Sequence, residues 1–265
     1  YTDKKFLPSG LSHIQLLYPF WGNGDTQRND PDYGRFEDYC QIGQQFFELS
    51  TPQDCHIFVL PFDYNPNPEI KKHIQAFGDL AKSFSKKMLV FYNADDDSKL
   101  AIDNALVFRT SFYKSKKEPY EFAFPGWSQD FLKQAGIQFS PLPKSIVPQV
   151  SYCGYVDYLS FSEKLKLHYA LLRKQKSKEI GPTLRGKIVR TLLKDKRIKS
   201  NFIIRNGFWA QGIQDKMAAR MHYLQNMLSS EYAIVTRGGG NFSYRLYEVL
   251  SCGRIPVFIN TDCFY

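Results

Sequence analysis

Long hydrophobic runs are missing from this sequence. Its unbroken apolar stretches span only a handful of residues, Ile57-Phe-Val-Leu-Pro-Phe62 being typical. None approaches the roughly 18–20 residues that cross a bilayer, so no stable membrane insertion is expected. Cysteine is sparse and poorly patterned. Cys40, Cys55, Cys153, Cys252 and Cys263 contain no C-x-x-C pair, and their number is odd. That argues against a zinc ribbon and against a dense disulfide scaffold. Each is expected to be a buried free thiol. The histidines show no H-x-x-H spacing, and His13 and His222 are read as structural. No Gly-Lys-Ser/Thr closes a glycine loop, and no G-x-G-x-x-G opens the chain. A Walker loop and a nicotinamide dehydrogenase are therefore not expected. Internal repeats and low-complexity tracts are also lacking.

What is present is ordinary for a folded protein. Of 265 residues, 43% are hydrophobic and 23% charged, which excludes disordered and fibrous classes. At about 150 residues per domain, the length allows one large domain or two small ones. Aromatics reach 16%; such rings suit a large core, or a site that stacks on sugars or bases. The net charge is +9 and unevenly placed: residues 1–150 carry 16 Lys+Arg against 18 Asp+Glu, and residues 151–265 carry 19 against 8. A basic second half points to an anionic partner, whether nucleic acid, lipid headgroup or nucleotide phosphate, or else to solvated helix faces. The basic stretch 164–199 has few aromatics beyond Tyr169, which speaks against nucleic-acid recognition by stacking. The chain begins at Tyr1 rather than Met, compatible with a trimmed signal or anchor.

Apolar patterning predicts strands at 14–18, 56–60, 88–92 and 105–108, and an amphipathic helix over 67–87. A loop with Gly22, Gly24, Asp25 and Pro31 follows the first strand. Pro141, Pro143 and Pro148 then interrupt the pattern, placing a boundary between domains 1–148 and 149–265. Beyond it, strands are predicted at 150–155, 201–205, 232–236 and 254–259, with helices over 162–178, 181–195, 215–230 and 242–252. Alternating strands and helices in both halves predict two α/β domains with parallel sheets. Ligands in such sheets bind beyond the carboxyl ends of the strands, so the chemistry is expected in a cleft between the two.

The richest segment is Thr236-Arg-Gly-Gly-Gly-Asn-Phe-Ser-Tyr-Arg-Leu-Tyr-Glu248, which follows an apolar strand and opens a helix. Gly238, Gly239 and Gly240 are expected to take left-handed angles and let a ligand approach the backbone. The helix start offers free N–H groups and partial positive charge, with Arg237 beside it, an expected anion seat. Arg245 and Glu248 are three residues apart and share a helix face. A carboxylate there can accept from ribose hydroxyls. Gly253 is placed as the helix C-cap.

These residues resemble the exostosin family of glycosyltransferases. Arg237-Gly-Gly-Gly, Ser243-Tyr-Arg245, Glu248 and Gly253-Arg-Ile-Pro-Val257, with Asp262 after them, are similar to the family's R-G-x-G-x-x-S-x-R-x-x-E, G-x-I-P-V and following Asp. Asp54-Cys-His-Ile-Phe-Val-Leu-Pro-Phe62 is similar, less specifically, to its A-D-x-F-F-V-P-x-Y. The resemblance implies a GT-B fold of two Rossmann-like domains. It implies an inverting transferase that moves a sugar from a UDP-sugar to a glycan or polysaccharide acceptor. Ser243, Arg245 and Glu248 then fall on the donor-nucleotide site, and Arg237, Gly238, Gly239, Gly240 and Asn241 lie beside it. Family members continue past the I-P-V strand, so the second domain is expected to be either truncated or unusually short here. Asn241-Phe-Ser243 is also a glycosylation sequon, expected to be unmodified because a glycan would block the site.

Weaker signals complete the expectation. Asp95-Asp-Asp97 follows an apolar strand, as a metal-binding D-x-D does in another glycosyltransferase class; the alternative is a solvated acidic turn. Arginines and helix ends can carry a leaving diphosphate, so neither a metal nor another cofactor is expected. Arg109 and Ser111 end a first-domain strand and are expected to face the cleft. Arg205 ends a second-domain strand and can clamp phosphate. An inverting transfer needs a base; Asp63, just past the 56–60 strand, is the first candidate, and Asp95 and Asp97 are next. A noncatalytic nucleotide- or sugar-binding module, and a basic RNA- or membrane-surface-binding protein, stay open as alternatives. The expected compartment is the cytoplasm, or the Golgi lumen if an anchor has been removed.

Overall fold

The computed structural model describes residues 1–23, 32–157, 180–207 and 214–265. The predicted loop at 24–31 and the predicted helix at 162–178 lie outside these residues. The chain divides into two compact units, Tyr1–Gly126 with Phe264–Tyr265, and Trp127–Cys263. Each contains a four-stranded parallel sheet with helices, the α/β class read from the sequence.

In the first unit the strands β1 (Phe58–Val59), β2 (Met88–Tyr92), β3 (Ala105–Arg109) and β4 (Glu121–Ala123) lie side by side in chain order. Met88 stands opposite Ala105 and Tyr92 opposite Arg109. Period-two alternation therefore buries Met88, Val90 and Tyr92 together with Ala105, Val107 and Arg109. Helix Pro68–Ser83 brings Ile74, Phe77 and Ala81 into this core. It starts where Asn67 accepts from the Glu69 N–H and Pro68 supplies a preset φ. It ends before the predicted Lys87 because Ser85 takes a left-handed φ of 55° and the Lys86 N–H returns to the Ala81 carbonyl.

One predicted strand is absent. Residues 14–18 form a 3-10 turn, Gln15–Leu17, running into helix Tyr18–Trp21. Pro19, in the first turn of that helix, fits a helix start and cannot donate to a ladder. Ile14 and Leu17 satisfy the apolar pattern by burial without strand pairing.

In the second unit the strands are β5 (Gln149–Tyr155), β6 (Lys199–Arg205), β7 (Tyr232–Val235) and β8 (Ile255–Phe258), ordered β6-β5-β7-β8. The order reverses at β5, which has β6 on one side and β7 on the other. Helices Ile180–Leu192, Lys216–Leu228 and Arg245–Ser251 accompany them. Val189 packs with Val150, Tyr152 and Ile234, while Leu224, Met227 and Val249 pack with Ala233 and Val235. Ile234 alternates with its two neighbours, so the two clusters lie on opposite faces of the sheet.

The units part at Gly126, upstream of the proline cluster where the sequence placed the boundary. Helix Phe131–Ala135 explains the difference, because Phe131 and Leu132 bury against Leu224, Met227 and Val249. The proline segment is itself tied to the second sheet. Glu231 accepts from the Ser145 N–H at 2.5 Å and the Gln149 N–H at 3.2 Å, and these donors hold its carboxyl below the usual range. Arg254 donates to the Ser140 and Leu228 carbonyls, each at 3.0 Å.

Candidate functional site

The site is built where the strand order of the second sheet reverses, at the carboxyl ends of β5 and β7. Open parallel sheets bind ligands at such points because the chains leaving neighbouring strands diverge there. Tyr155 closes β5, and Thr236 and Arg237 follow β7. The glycine segment after β7 departs from expectation in two ways. None of Gly238, Gly239 and Gly240 takes a positive φ. The loop backbone is closely approached instead: a Cβ on Gly181 would collide with the Gly238 carbonyl, and one on Gly238 would stand 3.3 Å from the Phe242 carbonyl. The helix also starts late, at Arg245. The Gly238 N–H closes onto the Phe242 carbonyl at 2.7 Å, and buried Phe242 packs on the rings of Tyr244 and Tyr247. Residues 238–244 are thus a closed loop, and the anion seat read from a helix start falls instead to side chains. The predicted C-cap is present: Gly253 has φ 65°, and the Arg254 N–H reaches back to Val249.

Arginines converge on this loop. Arg185, on helix Ile180–Leu192, donates to the Arg237 carbonyl at 2.8 Å and the Tyr155 carbonyl at 3.4 Å. It thereby bridges the segments leaving β5 and β7. Burial, and after it the charge of Arg245, lowers its pKa. Arg245 donates through Nη2 to the Cys153 carbonyl at 2.6 Å and through Nε to the Tyr223 hydroxyl at 3.1 Å. Its guanidinium lies over the rings of Tyr152 at 4.7 Å and Tyr223 at 5.3 Å. Burial opposes its charge, but Tyr223, Tyr152 and Glu248 outweigh that and raise its pKa. Arg245 makes no direct ion pair among the described residues. Glu248 is reached through Tyr223, whose O–H donates to Oε2 at 2.6 Å. The outcome is a cationic cluster held by carbonyls and ring faces.

The chain matches no protein-family model and has no significant match among curated proteins.

Of the other residues named for this site, Arg237 is buried and donates to the Gly239 carbonyl at 3.2 Å, bracing the loop. Asn241 is fully buried; its amide donates to the Thr261 carbonyl at 3.1 Å and accepts from the Thr261 hydroxyl at 2.6 Å. It ties the loop to the segment after β8, and a glycan cannot be attached to it in this fold. Ser243 is half-buried just before the helix. Arg205 spends Nη2 on the Ala219 carbonyl at 2.6 Å. Sequence reasoning missed Arg185 and Tyr223. Arg185 had a signal, one turn past Gly181-Pro182, the helix start that follows β5. Tyr223 had none, because only the packing of helix Lys216–Leu228 beside helix Arg245–Ser251 brings it in.

The first unit corrects a second expectation. Arg109 and Ser111 do not face outward; each is 1% exposed. Arg109 pairs with Glu121, itself 2% exposed, at 2.7 Å and donates to the carbonyls of Ser98 and Asp96. Its place follows from parity, since Ala105, Val107 and Arg109 share the buried face. In the acidic turn, Asp96 does the organising: it accepts from the Ser98 N–H and hydroxyl and from the Tyr92 hydroxyl. Asp95 is exposed and Asp97 half-buried. Among the described residues, no group of three or more His, Cys, Asp or Glu is placed to hold a metal. Asp63 is half-buried, and burial raises its carboxyl pKa against a lowering contact from the Asn93 N–H. Cys55, Cys153 and Cys252 are buried free thiols, whereas Cys40 and Cys263 are only partly buried. No described helix is long and apolar enough to cross a membrane.

Proposed function

We propose that the second unit binds the nucleoside diphosphate of a sugar donor. On this reading the chain is an inverting, GT-B-type glycosyltransferase that moves a sugar from a UDP-sugar to a glycan or polysaccharide. The observation that carries it is the arginine cluster at the reversal of β5 and β7, where Arg185 bridges the two departing segments and Arg245 is held by a carbonyl and two rings. Such a cluster suits a diphosphate, because guanidinium groups recognise phosphate oxygens with paired donors. Glu248, one helical turn from Arg245, suits vicinal hydroxyls of a ribose. The motif resemblance and the two parallel α/β units support the same reading.

In the proposed transfer the acceptor oxygen attacks the anomeric carbon and the bond to the diphosphate breaks. The base takes the hydroxyl proton, a role proposed for Asp63 from its place just past the carboxyl end of β1. The diphosphate leaves with its charge met by Arg185 and Arg245. Because those side chains carry the charge, transfer is expected to proceed unchanged in EDTA; loss of activity restored by Mn²⁺ would return the Asp95–Asp97 turn to consideration.

A thermal-shift screen of nucleoside diphosphates and UDP-sugars tests the binding step. A ligand at a hundred times its dissociation constant adds about 2.7 kcal/mol of stability. Stabilisation by UDP followed by transfer of labelled sugar supports the reading. UDP binding without transfer or donor hydrolysis would favour a noncatalytic module. Salt-sensitive binding of polyanions without nucleotide preference would overturn it.

A further inference from the structure

We propose that Tyr223 is a positioning residue that couples the anion-binding and hydroxyl-binding parts of the site, fixing the Arg245 guanidinium and the Glu248 carboxylate through one phenol. The inference rests on the nucleotide reading above. It follows from donor and acceptor counting. A phenol has one proton to give and lone pairs to accept with. Arg245 Nε–H donates to it at 3.1 Å, and guanidinium accepts nothing in return. Glu248 accepts only, and its Oε2 lies 2.6 Å away. The direction of the chain Arg245 to Tyr223 to Glu248 is therefore forced. The ring cannot turn freely, because Phe131 packs against it edge-on at 5.9 Å and the Arg245 guanidinium covers it.

Two consequences concern the ligand. With Nε on Tyr223 and Nη2 on Cys153, the plane of the Arg245 fork is set, and Nη1 has no acceptor among the described residues. Spacing of i, i+3 permits a direct Arg245–Glu248 pair on the helix surface, yet the phenol stands between them. Arg245 thus keeps its charge for an incoming anion while its orientation depends on where Glu248 lies. Burial raises the Tyr223 pKa well above its ordinary value, which keeps the phenol a donor to Glu248.

Calorimetry on the full chain tests this with UDP and inorganic pyrophosphate as probes, using wild type, Tyr223→Phe, Arg245→Ala and the double variant. Phenylalanine keeps the ring face and loses only the hydroxyl. Tyr223→Phe is expected to weaken UDP about 10-fold or more, as for a lost charged hydrogen bond. In the double variant the loss should be no greater than in Arg245→Ala alone, because residues in one network are not additive. A lowered melting temperature with unchanged affinity, or fully additive losses, would overturn the role. If Tyr223→Phe does not fold, Glu248→Ala with pyrophosphate reads the same coupling. Pyrophosphate has no hydroxyls, so simple charge removal would tighten its binding, whereas a broken relay weakens it; tightening overturns the proposal. If wild type binds pyrophosphate but not UDP, the nucleotide reading fails, and Tyr223 stands or falls on its pyrophosphate effect. If wild type binds neither probe, both are overturned.

Discussion

Arg109 closes β3 in the first unit, while Arg205 and Arg237 stand at or just past the ends of β6 and β7 in the second. Arg109 meets a carboxylate: Glu121 lies at 2.7 Å, both side chains are sealed from water, and two backbone carbonyls take further N–H groups. Its charge is cancelled inside the fold. In the second unit Arg185 and Arg245 are gathered on carbonyls and ring faces, and Arg245 reaches a carboxylate only through a phenol. On the proposed reading the Arg245 charge, which meets no carboxylate directly among the described residues, serves an incoming anion. The same residue type thus meets a carboxylate at a strand end of one unit and backbone carbonyls and ring faces from two helices of the other, and on the proposed reading the second arrangement serves a ligand.

Breaking that contrast at its strong end gives the largest expected effect. Removing one member of a buried pair strands the other charge, so Arg109→Ala or Glu121→Ala should each destabilise the protein by about 3–5 kcal/mol in denaturant melts. The double change Arg109→Met with Glu121→Leu should recover most of that loss, because no charge is left stranded. At the other end, Arg245→Ala should cost UDP affinity about 10- to 150-fold, corresponding to about 1.5–3 kcal/mol, while folding holds. Equal stability losses for Arg109→Ala and Arg245→Ala, with UDP affinity untouched, would erase the distinction.

The sequence made part of this contrast legible. Helix Pro68–Ser83 and strands β2 and β3 follow directly from apolar period, and Glu248 was visible as a carboxylate one turn from Arg245. The fate of Arg109 is readable too, because it continues the Ala105–Val107 face. Its partner is not, because β4 is three residues long and places the charged Glu121 at a buried position. The three glycines suggested left-handed turns, but composition cannot separate that use from close approach, which is what Gly181 and Gly238 show. Tyr223 lies 22 residues from Arg245 and 25 from Glu248, and no local pattern ties residues that far apart.

Glu248 sharpens the comparison at intermediate size. Glu248→Gln keeps an acceptor for the Tyr223 hydroxyl but replaces one oxygen by a nitrogen that only donates. Donor binding should weaken by about 1–3 kcal/mol. Measured against 2′-deoxy-UDP, wild type should discriminate strongly and Glu248→Gln less. Equal discrimination by both would place the ribose elsewhere.

The smallest expected effect on stability concerns Asp63, and its sign is what informs. Burial raises the Asp63 carboxyl pKa in the folded protein above its unfolded value. Such a group contributes fully below the unfolded pKa and loses that contribution as pH rises through the folded one. Once ionised, the carboxylate is thus a burden on the fold. Asp63→Asn removes the charge and keeps a side-chain oxygen for the Asn93 N–H. Urea melts should show the variant gaining stability relative to wild type as pH is raised from about 3 to 7 across the carboxylate range. If Asp63 is the base, sugar transfer should fall sharply in the same variant, with UDP affinity unchanged. A gain in stability joined to a loss of turnover is expected of a strained functional group, because a residue kept only for the fold would not be improved by its removal. Retained transfer would make Asp63 a turn residue and pass the base role to Asp95 or Asp97.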